Sequence, residues 1–227
     1  GTSIYFTDRV VPMLPPALSN GACSLNPGED KYALSAIIHL DENGEIVSTR
    51  LEKSIIRSRI KGIYSEINAI FEKRADKGIR AKYKELIPTL EKMHGLYLVL
   101  LEKSKVRGAL ELESAECEIL LDNNGEPTDI ALRTRGDAEK MIEQFMLAAN
   151  TVVAEFMSAN SLPALYRVHE YPDAAKLEEL DGILRPFGFS VEHEKISPAS
   201  CSELLKAVSG TKQERLANML LLRSMKK

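Results

Sequence analysis

The sequence predicts an α+β fold, a single-domain fragment in which antiparallel β-hairpins pack against several α-helices. Three observations predict it. Two stretches of strand-like residues each flank an Asn-Gly pair, the short-range signature of a hairpin. Several longer stretches repeat apolar residues at helical spacing. No internal repeat or low-complexity linker divides the 227 residues, a length sufficient for a sizeable core.

The elements follow in chain order. Residues 10–35, "VVPMLPPALSNGACSLNPGEDKYALS", form an irregular, proline-studded path interrupted by Val10, Val11, Met13, Leu14, Leu18 and Leu25, apolar side chains expected to pin it to a core. Residues 32–53 read as a hairpin around "DENGE", with Asn43-Gly44 at the turn. A helix is expected to carry Ile56, Ile60, Ile63, Tyr64, Ile67, Ile70 and Phe71, broken by "RADKG". A second helical stretch carries Leu86, Leu90, Met93, Tyr97 and Leu100, with Pro88 predicting a kink or a late start. "ECEILL" and "TDIALRT" form a second hairpin around Asn124-Gly125.

The clearest helix begins with Asp137 as its expected N-cap and continues through Met141, Ile142, Phe145, Val152 and Phe156. Its buried stripe centres on Ala138, Ile142, Phe145 and Ala149. Glu143, Leu147 and Asn150 then face the other way, as a solvated face with a stray leucine or as the lining of a groove. "LYRVHE" reads as a short strand, residues 173–188 as a helix closed by Pro186 and Gly188, and "FSVE" as another strand. Two helices follow from Ser200. Apolar residues reach close to both ends, as expected of a chain cut from a longer one.

Composition narrows the function. Hydrophobic residues make up 44% and charged residues 28%, and the formal charge is −3. That charge argues against a protein that coats nucleic acid by electrostatics alone. No apolar run is long enough for a membrane span and no signal peptide is visible, so a cytoplasmic location is expected. Cys23, Cys117 and Cys201 fit no zinc spacing, and their odd number suits a reducing compartment. His39, His94, His169 and His193 are not paired at ligand spacing. There is no aspartate cluster, nucleophile elbow or phosphate-binding loop, so no catalytic or metal-binding residue is assigned. Tyr64 among isoleucines and Tyr5 near a strand end both fit core positions with the hydroxyl at the rim.

The order of several motifs carries a resemblance. "GTSIYFTDRVVPMLPPALSNGACSLNPGED", "VRGALEL", "MIEQFMLAAN" and "LYRVHEYPD" together resemble the ribonuclease II and ribonuclease R family, and the ribonuclease R branch more closely, over essentially the whole chain. The resemblance implies the central part of a catalytic domain of the RNB type, residues 1–227. Its parent would be a processive 3′-to-5′ exoribonuclease that degrades single-stranded RNA to nucleoside 5′-monophosphates with magnesium, and a monomer. The family's metal-binding aspartates precede the segment matched here, and its arginine motif follows it, so this chain alone is expected to be inactive. The alternative is a non-catalytic RNA-binding or interaction domain of the same fold. By resemblance, Tyr5 matches an aromatic that stacks on a base near the RNA 3′ end. Tyr64 and Glu143 match a pair that senses ribose 2′-hydroxyls. Leu112 stands where the family's second stacking aromatic is expected.

Overall fold

In the computed structural model, residues 3–107, 109, 116–133, 135–166, 173–191 and 198–224 are described. They carry strands β1 (Ile4–Tyr5), β2 (Val10–Val11), β3 (Asp30–Leu40), β4 (Ile46–Arg57), β5 (Glu116–Leu121) and β6 (Pro127–Arg133), paired as three antiparallel hairpins. The helices are α1 (Tyr64–Phe71), α2 (Lys77–Lys82), α3 (Ile87–Val106), α4 (Asp137–Ala159), α5 (Ala174–Leu184), α6 (Pro198–Val208) and α7 (Glu214–Ser224). The chain divides into two compact units, Gly1–Tyr97 with Ala115–Asn160, and Leu98–Ser114 with Ser161–Lys227.

The two longer hairpins use one turn design. Asp41 C=O accepts from Gly44 N–H at 3.0 Å, and Asp41 Oδ1 accepts from the N–H groups of Asn43 (2.9 Å) and Glu45 (2.8 Å). Asp122 repeats this with Gly125 (3.1 Å), Asn124 (2.8 Å) and Glu126 (3.0 Å). The backbone N–H groups of Glu126 and Asn124 hold the Asp122 carboxyl below its ordinary value. Only the glycine of each Asn-Gly pair is left-handed, with φ of 75° at Gly44 and 83° at Gly125. The connection is therefore a turn closed by a glycine bulge rather than a two-residue loop. The pairing register shifts accordingly at His39/Leu40 and Leu120/Leu121.

The path through residues 10–35 is ordered in a way its aliphatics do not explain. Val10, Val11, Met13, Leu14, Leu18 and Leu25 are all exposed, so they do not pin the segment to a core. Polar bonds hold it instead. Residues Ala17–Ala22 form a π-helical turn. The three successive carbonyls of Ser19, Asn20 and Gly21 accept from Ser24 Oγ (2.6 Å), Asn26 Nδ2 (3.1 Å) and Lys31 Nζ (3.1 Å). Those side chains satisfy carbonyls that a short helical turn leaves open. Gly28 N–H then donates to Ser58 C=O at 2.8 Å, tying the segment to the end of β4.

Two helix boundaries differ from expectation, and a third takes one of its two expected forms. Ile56 lies in β4, paired with Lys31, and Ile60 lies between β4 and α1. The spacing of isoleucines misleads here because β-branched residues serve a strand equally well. Helix α1 starts only at Tyr64, after an extended Ile63. Within "RADKG", Asp76 caps the unforeseen helix α2 by accepting from Ile79 N–H at 2.8 Å. Helix α3 places Pro88 in its first turn, so the proline marks a start and no kink. Residues 167–172, which include most of "LYRVHE", lie outside the described residues, as does Leu112. Phe189 to Val191 of "FSVE" form no strand; Val191 donates its N–H to the buried Asp181 Oδ1 at 2.8 Å.

In the first unit, Ala69, Tyr83, Leu90, Tyr97, Ala138, Met141 and Val152 are buried. In the second, α5, α6 and α7 enclose Leu177, Leu180, Leu184, Val191, Cys201, Leu204, Val208, Ala217 and Leu221.

Candidate nucleic-acid interface

The start of α1 is fixed by a buried tyrosine. Tyr83 is 1% exposed. Its hydroxyl accepts from the Ile63 N–H at 3.2 Å and donates to Glu66 Oε2 at 2.6 Å. Lys82 Nζ reaches the same oxygen at 2.6 Å. Lys82, then Tyr83, hold the Glu66 carboxyl below its ordinary value. The group therefore contributes stability above its unfolded-state pKa, and that contribution is lost as pH falls through the lowered folded-state value. Tyr83→Phe is expected to cost about 1–2 kcal/mol at neutral pH, because Ile63 N–H and Glu66 each lose a partner. The deficit should narrow on acidification, as Glu66 protonates and the lost donor matters less. Urea unfolding of both proteins across acidic pH checks this, and a deficit that widens would refute it.

Asn68, one turn beyond Tyr64, joins α1 to α4. It is 7% exposed. Its Oδ1 accepts from the Ala138 N–H at 2.8 Å and its Nδ2 donates to Glu139 Oε2 at 2.8 Å. Glu139 Oε2 also accepts from the Gly136 N–H at 3.1 Å. The N-cap of α4 is therefore Gly136, and Asp137 is the first helical residue. Asp137 is engaged elsewhere, with its Oδ2 2.8 Å from His94 Nε2. That imidazole in turn stacks on Phe71 with ring centroids 4.4 Å apart. A glycine has no side chain to cap with, so Asn68 supplies the capping oxygen from another helix. The absence of a Cβ at Gly136 is what lets Asn68 approach.

This join locates two of the proposed site residues. Tyr64 stands four residues before Asn68, and Glu143 four residues after Glu139. Each lies about 6 Å along its helix from the joining bond and about 40° around it. Both are exposed, Tyr64 by 43% and the Glu143 side chain by 48%. Along α4, Met146, Leu147 and Asn150 continue the exposed face, while Ala138, Met141 and Val152 are buried. Tyr64 is thus no core residue. Neither is Tyr5, which is 79% exposed in β1, opposite Val10. No described contact links Tyr5 to Tyr64 or Glu143.

Sequence reasoning missed Arg135, Asn68, Gly136 and Tyr83. Arg135 Nη2 donates to Glu143 Oε2, so the carboxylate already has a cationic partner. The one visible signal was Gly136 itself, a residue without a capping side chain directly before a strongly amphipathic helix. Among the described residues, no group of three or more His, Cys, Asp or Glu side chains is placed to hold a metal ion. No helix among them is long and apolar enough to cross a membrane.

Ribonuclease R of Thermotoga maritima is 38% identical over 229 residues, covering 100% of this chain and 32% of that protein. Ribonuclease R 1 of Lactococcus lactis is 36% identical over 227 residues, covering 99% of this chain and 28% of that protein. The chain thus spans about a third of the length of these relatives. Among solved structures, Mycoplasma genitalium RNase R in complex with ribose methylated single-stranded RNA superposes with a TM-score of 0.89 at 27% identity, covering 100% of this chain and 35% of that one. The RNB domain matches residues 1–227 without remainder, and this chain belongs to the RNB domain family.

Proposed function

We propose that this chain is the sugar-reading part of the catalytic domain of an exoribonuclease. The parent enzyme degrades single-stranded RNA from its 3′ end, processively and with magnesium, to nucleoside 5′-monophosphates in the cytoplasm. The observation that carries the reading is the exposure of Tyr64 and Glu143, each about one turn from the Asn68–Glu139 bond, in a chain that matches the RNB domain throughout. A carboxylate accepts a hydrogen bond that ribose donates and deoxyribose does not, and a tyrosine adds a ring and a hydroxyl. The solvent-facing ring of Tyr5 suits base stacking.

The described residues do not fit a magnesium site, since no carboxylate cluster converges. We place the ions instead on residues outside this chain, as the family resemblance implies. Purified chain and full-length protein, each incubated with end-labelled oligoribonucleotide and magnesium, test the reading. The full-length protein should release nucleoside monophosphates and the chain alone none. Monophosphate release by the chain alone, with contaminating nuclease excluded, would contradict it.

A further inference from the structure

We infer that Arg135 is a specificity-determining residue that binds the phosphate beside the ribose read by Glu143 and holds the Glu143 carboxylate in place. The inference rests on the function proposed above and adds a residue and a ligand group to it. Arg135 donates through Nη2 to Glu143 Oε2, while Glu143 Oε1 has no partner among the described residues. The two side chains are 49% and 48% exposed, so both groups of the pair face solvent. An ion pair this open adds little to stability. What it does instead is place a hydrogen-bond acceptor and a cationic donor side by side on the surface.

That arrangement complements one chemical feature of RNA. The 2′-hydroxyl, a donor, lies on the carbon next to the one that bears the 3′-phosphate, an acceptor. DNA presents the phosphate without the hydroxyl. A guanidinium has five N–H donors in one plane and serves a carboxylate and a phosphate together. The cation also removes a conflict. A lone carboxylate in a groove for a polyanion repels the phosphates, in a chain whose formal charge is already −3. Pairing Glu143 with Arg135 cancels that repulsion locally and keeps the acceptor.

The backbone supports the role. Arg135 directly precedes Gly136, whose N–H is fixed to Glu139 Oε2 at 3.1 Å, and Asn68 clamps the same turn. The guanidinium therefore projects from an anchored point toward a residue two turns along a regular helix. Little ordering is left to be done when a strand binds.

Full-length protein in EDTA, so that cleavage is suppressed, is titrated with RNA and DNA oligonucleotides of one sequence at several salt concentrations. Wild type, Arg135→Gln and Arg135→Lys are compared. Arg135→Gln should lower the RNA-to-DNA affinity ratio by about three- to tenfold. It should also reduce the salt slope of RNA binding by about 0.7, the value for one phosphate contact on a single strand. Arg135→Lys should keep the salt slope but lose part of the ratio, because an ammonium lacks the planar fork. Unchanged ratio and slope in Arg135→Gln, with wild type binding RNA, would overturn this inference and leave the proposed function standing. Wild type that fails to bind RNA would overturn both.

Discussion

Gly136→Ala is expected to destabilise the first unit by about 2–4 kcal/mol. The backbone is not the reason, since Gly136 has φ −89° and ψ −175°, which alanine adopts freely. Space is the reason. A Cβ at this position would lie 2.3 Å from Asn68 Nδ2, 2.4 Å from Cγ and 2.5 Å from Oδ1. Asn68 is buried and bonded at both ends of its amide, so it cannot swing aside without losing the Ala138 and Glu139 contacts. The variant then leaves the Ala138 N–H and the Asn68 amide without partners. Asn68→Ala removes the same two bonds and vacates the space. The double variant should therefore cost about as much as Asn68→Ala alone, a marked departure from additivity. The chain has no tryptophan, so urea unfolding is best followed by far-ultraviolet circular dichroism. A loss under about 0.5 kcal/mol for Gly136→Ala, or additive losses in the pair, would refute the account of Asn68 as the cap of α4.

Glu143→Ala in the full-length protein should lower the preference for RNA over DNA by about ten- to a hundredfold. A hydrogen bond to a charged group contributes about 1.5–3 kcal/mol, and only RNA donates it. The change also acts on the DNA side. On the proposed function, a DNA strand on the wild type desolvates Glu143 and offers it no donor. In the variant that penalty is gone, while the Arg135 guanidinium still offers a cation to phosphate of either sugar type. RNA affinity should therefore fall while DNA affinity holds or rises. Matched oligonucleotides on wild type and variant measure the ratio. An unchanged ratio, with the circular dichroism spectrum intact, would reduce Glu143 to a surface carboxylate paired with an arginine.

Local chemistry was legible in the sequence and distant chemistry was not. The two Asn-Gly turns, the Pro88 start of α3 and the exposed face of α4 each follow from residues within a few positions of one another. Asp137 read as a cap for the same reason, because a carboxylate before an apolar run is the local signal. The structure gives that carboxylate to His94, and the cap to Asn68, 70 residues upstream of the N–H it accepts from. No window of sequence contains both partners. The same holds for Ile63 and Tyr83, 20 residues apart. The aliphatics of residues 10–35 misled differently, for apolar composition signals a preference for burial and not a partner to be buried against. The family resemblance drew attention to Tyr5, Tyr64 and Glu143 but not to Arg135, whose part depends on a side chain lying back across two helical turns.

The cap that Asn68 provides also sets an order of events during synthesis. Asn68 leaves the ribosome well before Ala138 and Glu139 do. At about 5–20 residues per second, the intervening chain takes about 4–14 s to emerge. An eight-residue helix such as α1 is too short to persist alone in water. The two long hairpins, by contrast, close within microseconds through their own turns. For several seconds the nascent chain thus carries a β3–β4 hairpin that closes and opens rapidly beside an unfinished α1, with Tyr32, Leu34 and Ile55 of that hairpin facing outward. That interval, ended by the arrival of a glycine with no side chain, is when the emerging domain is most open to chaperones and to aggregation.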